Sequence, residues 1–515
     1  MMKKLSYIYG LLLLLSVSCT DDFEEINKNP NSPDVVTNVG LLLPNAIRAS
    51  VNKSYSSAYD RGGIAANLLA SDFASNFSNW TRADATGYFL WNYYDYIRDL
   101  NEVISISEKQ NLKNYKGVAL VLRSWMFQSL TDIYGPIPFR EAANAKLQGI
   151  SAPAYETQEA VYAGILADLA EANTLLGAGN ETVTGDILYN GNTANWKKLA
   201  NGLRLRLLMR QSKRVNPTAE MQKIVADPNT YPLFTSHKDQ AALEYLADMQ
   251  ANESPFYRSG NGGTNTKVSK QLVDYLKTTN DKRLFIYALP TPASSAIDAN
   301  GNRPDPSKFV YAGDLNGIGM FPNANITSPS GMLWMSIQFS PDLASAKGGQ
   351  GIIMSYSEVQ FILAEAAEKG FISGGSAAAG NYYLKGIKDQ FAYYASRVPA
   401  NYAASYLKLS PASISADDSY FKQEAIAYTG TAAQKLEKIG VQKWISLYQI
   451  GFEAWSEWRR TGIPKIPVGP VGPGYVPRRM FYPADELRIN EANYQKAVSW
   501  LGADDLKSRV WWDVN

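Results

Sequence analysis

Over most of the first 213 residues apolar positions recur every three to four residues, the spacing of helices that bury one face. Tyr93, Ile97, Leu100, Val103 and Ile104 mark one such face in a helix expected over 93–109. Val118, Leu122, Trp125, Leu130 and Ile133 give a wide apolar face to the next, over 112–134. Gly135-Pro136-Ile137-Pro138 ends it, since proline has no amide hydrogen to continue the ladder. Further helices are expected over 41–49, 65–73, 156–176 and 194–213. From 214 to 350 the period fails: prolines such as Pro228, Pro255, Pro304 and Pro341 punctuate long irregular stretches, with a short helix at 270–277. Such long loops in a compact chain are usually functional. Helical spacing returns over 356–369, 377–396, 421–428, 432–460 and 491–498. In the helix over 432–460, Trp444, Tyr448, Phe452 and Trp455 form one aromatic stripe, read as core facing a partner helix. The fold class is therefore mostly α, a helical scaffold around a loop-rich middle. Helix pairs of these lengths resemble tetratricopeptide units, although the repeat consensus is weak.

The amino terminus departs from this pattern. Lys3 and Lys4 precede an apolar run over 5–17 that contains five consecutive leucines, too short to span a membrane and of the length of a signal-peptide core. The run meets Leu15-Ser16-Val17-Ser18-Cys19, which resembles a bacterial lipobox. Cleavage is expected after residue 18, with acylation of Cys19, the only cysteine in the 515 residues. With one cysteine no intrachain disulfide can form. Several acyl chains on one residue would give durable membrane attachment, where a single chain is marginal. Asp21, Asp22, Glu24 and Glu25, followed by Asn29-Pro30-Asn31, read as a solvated tether over 19–34.

Composition narrows the function by exclusion. Fifty basic residues face 48 acidic ones, and loss of Lys3 and Lys4 leaves the formal charge at zero, so no nucleic-acid partner is expected. Arg204, Arg206 and Arg210 read as a polar helix face. His237 is the only histidine, so His-based zinc sites and a Ser-His-Asp triad lack parts except through that residue. Ser50-Val51-Asn52-Lys53 fits S-x-x-K without the KTG or SDN that would support it. A pair of carboxylates about 5 to 9.5 Å apart, enough for glycoside hydrolysis, cannot be excluded by sequence. No enzyme activity and no cofactor or metal is expected. Thirty-two tyrosines and 11 tryptophans suit stacking on sugar rings, though they are also ordinary in stable extracytoplasmic proteins.

The carboxyl-terminal third carries a resemblance. The stretch 443–462, KWISLYQIGFEAWSEWRRTG, and Arg478-Arg479-Met480-Phe481-Tyr482-Pro483 with Glu486, Asn490 and Asn493 resemble the signatures of SusD/RagB-like nutrient-binding lipoproteins of Bacteroidetes. Thr131-Asp132-Ile133-Tyr134-Gly135-Pro136-Ile137-Pro138 and the stretch 356–366, YSEVQFILAEA, are similar to it too. The resemblance spans nearly the whole mature chain and implies one domain over 35–515. Residues 35–213 and 351–460 would be scaffold, 214–350 the irregular middle and 461–515 the closing signature. It further implies four tetratricopeptide-like helix pairs and an outer-membrane lipoprotein on the extracellular face. Such a protein captures oligosaccharide for a SusC-like TonB-dependent transporter; some relatives serve peptide uptake instead, and some hold calcium. Glu358 and Glu365 would cap or pair inside the scaffold, and Arg459 and Arg460 would tie a helix end to nearby backbone.

The same resemblance places the ligand over loops after the first helices and in the middle region. Phe77, Asn79, Trp80, Arg82, Tyr88 and Trp91 supply planar aromatics, an amide and a guanidinium within a short stretch. Two readings of this stretch stand: Trp80 as a sugar platform with Arg82 and Asn79 as hydrogen-bonding partners, or Phe77 and Trp80 as plugs in the scaffold. Asn323, Asn325 and Trp334 form the second group, with Trp334 either contacting ligand or packed inward beneath a turn set by Pro322 and Pro329.

Overall fold

A computed structural model describes residues 38–71, 77–246, 248–256, 266–302, 304–316, 325–331, 350–398, 400 and 410–514. The main helices are α1 (Leu43–Ser57), α2 (Tyr93–Gln110), α3 (Lys113–Tyr134), α4 (Gln158–Leu175), α5 (Thr193–Arg210), α6 (Lys270–Thr278), α7 (Tyr356–Glu368), α8 (Gly375–Arg397), α9 (Ala432–Ser446), α10 (Glu453–Thr461) and α11 (Glu491–Leu501), with a further helix at Thr218–Ala226 and shorter helical segments elsewhere. Neighbours in sequence pack as pairs: α2 on α3, α3 on α4, α4 on α5, and α7 on α8. The connectors from α2 to α3 and from α7 to α8 are short, which obliges those helices to run back along each other. Asn111, at φ 55°, closes α2 in the left-handed conformation that asparagine tolerates. Side chains of Thr157, Asn192, Ser355 and Thr431 accept amide hydrogens at the starts of α4, α5, α7 and α9. Among the described residues no helix is long and apolar enough to cross a membrane.

Among the described residues six short strands form three antiparallel two-stranded ribbons. β1 (Leu69–Ser71) pairs with β5 (Thr266–Val268), β2 (Ile137–Pro138) with β3 (Tyr155–Glu156), and β4 (Ala241–Glu244) with β6 (Gln350–Met354).

Besides the helix expected over 421–428, where the chain forms a short helix at Asp418–Lys422 and then turns, three expectations need correction. The helix expected over 65–73 ends at Ala65; Asn67 turns at φ 55° and the chain extends into β1, because Leu69, Ala70 and Ser71 pair with Val268, Lys267 and Thr266. The helix expected over 432–460 is two, α9 and α10, separated by left-handed Gln449 and Gly451. The Gly451 carbonyl there lies 2.4 Å from where a Cβ on Gly62 would sit, so the break seats one backbone against another. Trp444, Tyr448, Phe452 and Trp455 are all buried, as a core reading requires, but they lie on two helices and the turn between, not on one stripe. The third correction concerns the α5 arginines, which do not form a solvated face: Arg204, Arg206 and Arg210 are all buried.

These arginines hold an ionic core. Arg206 grips Glu358 of α7 through Nε and Nη2 at 2.6 and 2.7 Å. Arg210 donates to Asp132 of α3 at 2.9 Å, to Glu457 of α10 at 3.2 Å, and to Glu453. Arg460 closes a fork on Glu365 at 2.7 and 2.6 Å. Glu358 and Glu365 thus pair inside the scaffold. Arg459 ties α10 to the Asp132 and Arg478 carbonyls at 2.7 and 2.8 Å, whereas Arg460 meets carboxylates in place of backbone. Burial pushes the Glu365 carboxyl upward, but Arg460, and less so Lys369, overcome it and hold it down at about 2. Its folded value lies below the ordinary 4.5, so the stability it contributes is complete above that pH and is lost as pH falls toward 2. The stability gap between wild type and Glu365→Gln is therefore expected to narrow by about 2 kcal/mol from pH 7 to pH 3. Urea unfolding at both pH values reads this directly, and a gap indifferent to pH would contradict it.

Candidate functional site

The β1–β5 ribbon joins segments that are remote in sequence. Lys267 of β5 bridges Pro329, the Val268 amide donates to the Ser328 carbonyl at 3.0 Å, and the Ser330 amide reaches the Thr266 carbonyl at 3.4 Å. Residues 69–71, 266–268 and 328–330 therefore lie side by side. Asn316 locks the assembly by donating to the Leu69 carbonyl at 2.7 Å and to Asn67 Oδ1 at 2.8 Å. Ser330 Oγ sits 2.7 Å from Tyr448 Oη in the core, and a Cβ on Gly331 would fall 1.9 Å from the Ile286 carbonyl oxygen, so only glycine fits there. The stretch that leaves β1 toward Phe77 and the stretch that carries Asn325 thus issue from one ribbon.

The predicted residues of the first stretch do not form one cluster. Phe77 and Trp80 are buried, Trp80 to 2 % exposure. Its indole packs edge-on against Phe77 at 5.1 Å, Phe89 at 4.7 Å and Trp455 at 6.5 Å between ring centroids. Such packing against neighbouring rings is what the plug reading describes. Arg82 is also engaged: it forms an ion pair with Asp504, donates to the Tyr482 carbonyl at 3.2 Å and lies 5.2 Å from the Phe481 ring centroid. Trp91 is half-buried edge-on against Tyr134 at 4.8 Å and near Tyr482 at 6.0 Å. Arg82 and Trp91 therefore brace the closing segment.

Tyr88 is different. It is 39 % exposed, and the Arg61 guanidinium covers one ring face at 4.1 Å while Arg61 Nη2 reaches Asp84 Oδ1 at 3.4 Å. Lys53 donates to the Gly87 carbonyl beside it. Burial lowers the Lys53 ammonium and raises the nearby Asp60 carboxyl, which Arg61 and Lys53 only partly offset. Asn79 is half-buried, and Asn325 is exposed with its carbonyl accepting from Ala293 at 2.9 Å. Asn323, Trp334 and Cys19 lie outside the described residues. The S-x-x-K match has no nucleophile geometry, since Ser50 is buried and bonds back to the Ala46 carbonyl at 2.6 Å.

Residues 30–483 match the family model SusD-like_2, described as starch-binding and associating with outer membrane. This chain belongs to the SusD-like family. Solved structures agree with that membership. A Bacteroides vulgatus protein linked to the outer membrane and to nutrient binding superposes with TM-score 0.75 at 29% identity, over 93% of this chain and 100% of its own. A SusD homolog from Bacteroides fragilis gives 0.74 at 26%, over 93% and 99%. A chitin-binding protein gives 0.73 at 29%, over 93% and 100%. No curated protein matches the chain in sequence.

Two open clefts of this SusD-like protein escaped the sequence reading. One, of 580 Å³, is bounded by Trp500, Trp511, Arg214 and Arg509. The other, of 530 Å³, is bounded by Tyr275, Glu424, Glu437 and Lys438. The three tryptophans in the last 16 positions were the one visible signal for the first. Among the described residues no group of three or more His, Cys, Asp or Glu is placed to hold a metal ion.

Proposed function

We propose that this SusD-like protein is a non-catalytic, lipid-anchored surface protein that captures an oligosaccharide and hands it to a SusC-like TonB-dependent transporter. The observation that carries the reading is the β1–β5 ribbon of a SusD-like fold, which sets residues 69–71 and 328–330, each adjoining one polar-aromatic stretch in sequence, beside the same strand. Tyr88, with one face held by Arg61 and its edge in solvent, serves as the stacking surface in this reading. Asn79 and Asn325 supply amides for hydroxyl groups in this reading, with Asn323 and Trp334 as further proposed ligand contacts. The chitin-binding relative at 29% identity is consistent with a glycan as cargo. Anchoring through Cys19 would keep the protein beside its transporter.

Calorimetric titration of the chain from Thr20 onward against starch, chitin and plant oligosaccharides tests this. One glycan class is expected to bind saturably and emerge uncut, and Tyr88→Ala to weaken it about tenfold, or about 1.4 kcal/mol. Heat from oligopeptides with none from any glycan would replace sugar by peptide as the cargo.

A further inference from the structure

The cleft at the carboxyl-terminal end belongs to neither candidate stretch. Its walls come from the end of α11, which carries Trp500, from the tail at Arg509 and Trp511, from Arg214 after α5, and from the start of α4. At 580 Å³ it falls within the range of small-ligand sites. Its base is tied down: Gln158 donates to the Thr131 carbonyl at 2.7 Å, and Trp511 packs on Tyr162 with centroids 6.1 Å apart.

Two features of this cleft point to a ligand. Trp500 is 42 % exposed at its rim, an indole left to solvent in a chain whose Trp196, Trp455 and Trp512 are fully buried. Its face suits a pyranose ring. The second feature is charge. Arg214 spends Nε on the Trp511 carbonyl at 2.7 Å, and both of its terminal nitrogens are without a hydrogen bond among the described residues. Arg509 uses Nη1 on Asp513 at 2.8 Å, and its side chain is 44 % exposed. Asp513 offsets this charge only in part, because its one carboxylate is shared with Arg478 at 3.3 Å. Lys496, 5.4 Å from the Trp500 ring, adds a further cation, and the acidic residues of the cleft wall are Asp513, already shared between two arginines, and exposed Glu159.

We propose that this cleft is a second saccharide subsite, selective for a sugar residue that carries a carboxylate. Trp500 takes the ring, and the free guanidinium nitrogens of Arg214 and Arg509 take the carboxylate, the anion that a planar fork of donors fits. The inference rests on the glycan reading above and adds the charge of the cargo to it.

The test compares trigalacturonate with its methyl ester, which keeps rings and linkage but masks the charge. Against the mature chain the free acid is expected to bind at least tenfold more tightly than the ester, with the difference fading in high salt. The double variant Arg214→Gln, Arg509→Gln should lose that preference. Trp500→Ala, at an exposed position, should keep its melting temperature and weaken the free acid. Equal binding of acid and ester, or a preference that survives in the double variant, overturns the subsite while glycan capture stands. Silence from both, together with silence from the neutral oligosaccharides, overturns both readings.

Discussion

Replacing Arg210 by methionine is expected to cost about 3–5 kcal/mol of folding stability. The guanidinium is completely buried and answers three carboxylates, Asp132, Glu453 and Glu457, from two other helices. Burial works against its charge, but those carboxylates raise its pKa, so it stays ionised throughout any working range. Removing it strands negative charge where water cannot reach. At Asp132 burial already outweighs the pull of Arg210 and lifts the carboxyl; the Tyr162 hydroxyl and the Trp512 indole nitrogen also donate to it. Arg204→Met is the control: Arg204 pairs with half-exposed Glu220 at 3.2 Å, and its loss should cost far less. Urea unfolding of both variants checks the contrast, and a loss under about 1 kcal/mol at Arg210 would show that the network contributes little.

Trp80→Ala is expected to cost about 3–5 kcal/mol as well, here from lost packing. The indole fills the space between Phe77, Phe89 and Trp455, and Trp455 in turn supports the Arg459 guanidinium at 3.8 Å from its ring centroid. A cavity at Trp80 therefore loosens the region where α10 meets the closing segment. The prediction bears on function, because a fall in ligand binding by this variant would report a damaged scaffold and not a missing platform. Thermal unfolding distinguishes the two: Tyr88→Ala, at an exposed ring, should leave the midpoint almost unchanged, while Trp80→Ala should lower it by several degrees. An unchanged midpoint for Trp80→Ala would reopen the platform reading.

The helices of the scaffold were legible in the sequence because a helix closes its hydrogen bonds four residues away, so its buried face and its caps are written locally. The expected 93–109 and 112–134 became Tyr93–Gln110 and Lys113–Tyr134, and Gly135-Pro136 stopped the chain where proline chemistry requires. The family signatures were legible for a related reason, since they are runs of adjacent residues, and they led to the family that residues 30–483 match. What the tertiary structure alone decided are features whose partners are far along the chain. β1 exists because Leu69–Ser71 meets Thr266–Val268, and α9 and α10 are separate because the Gly451 turn seats against Gly62. Arg206 is a core residue because Glu358, 152 positions later, comes to face it. Trp80 looks as suitable for a sugar as Tyr88 does when each is read in its own neighbourhood. The packing of Phe77, Phe89 and the distant Trp455 on one and the openness of the other separate them, since burial is set by the neighbours that folding brings and not by the residue itself.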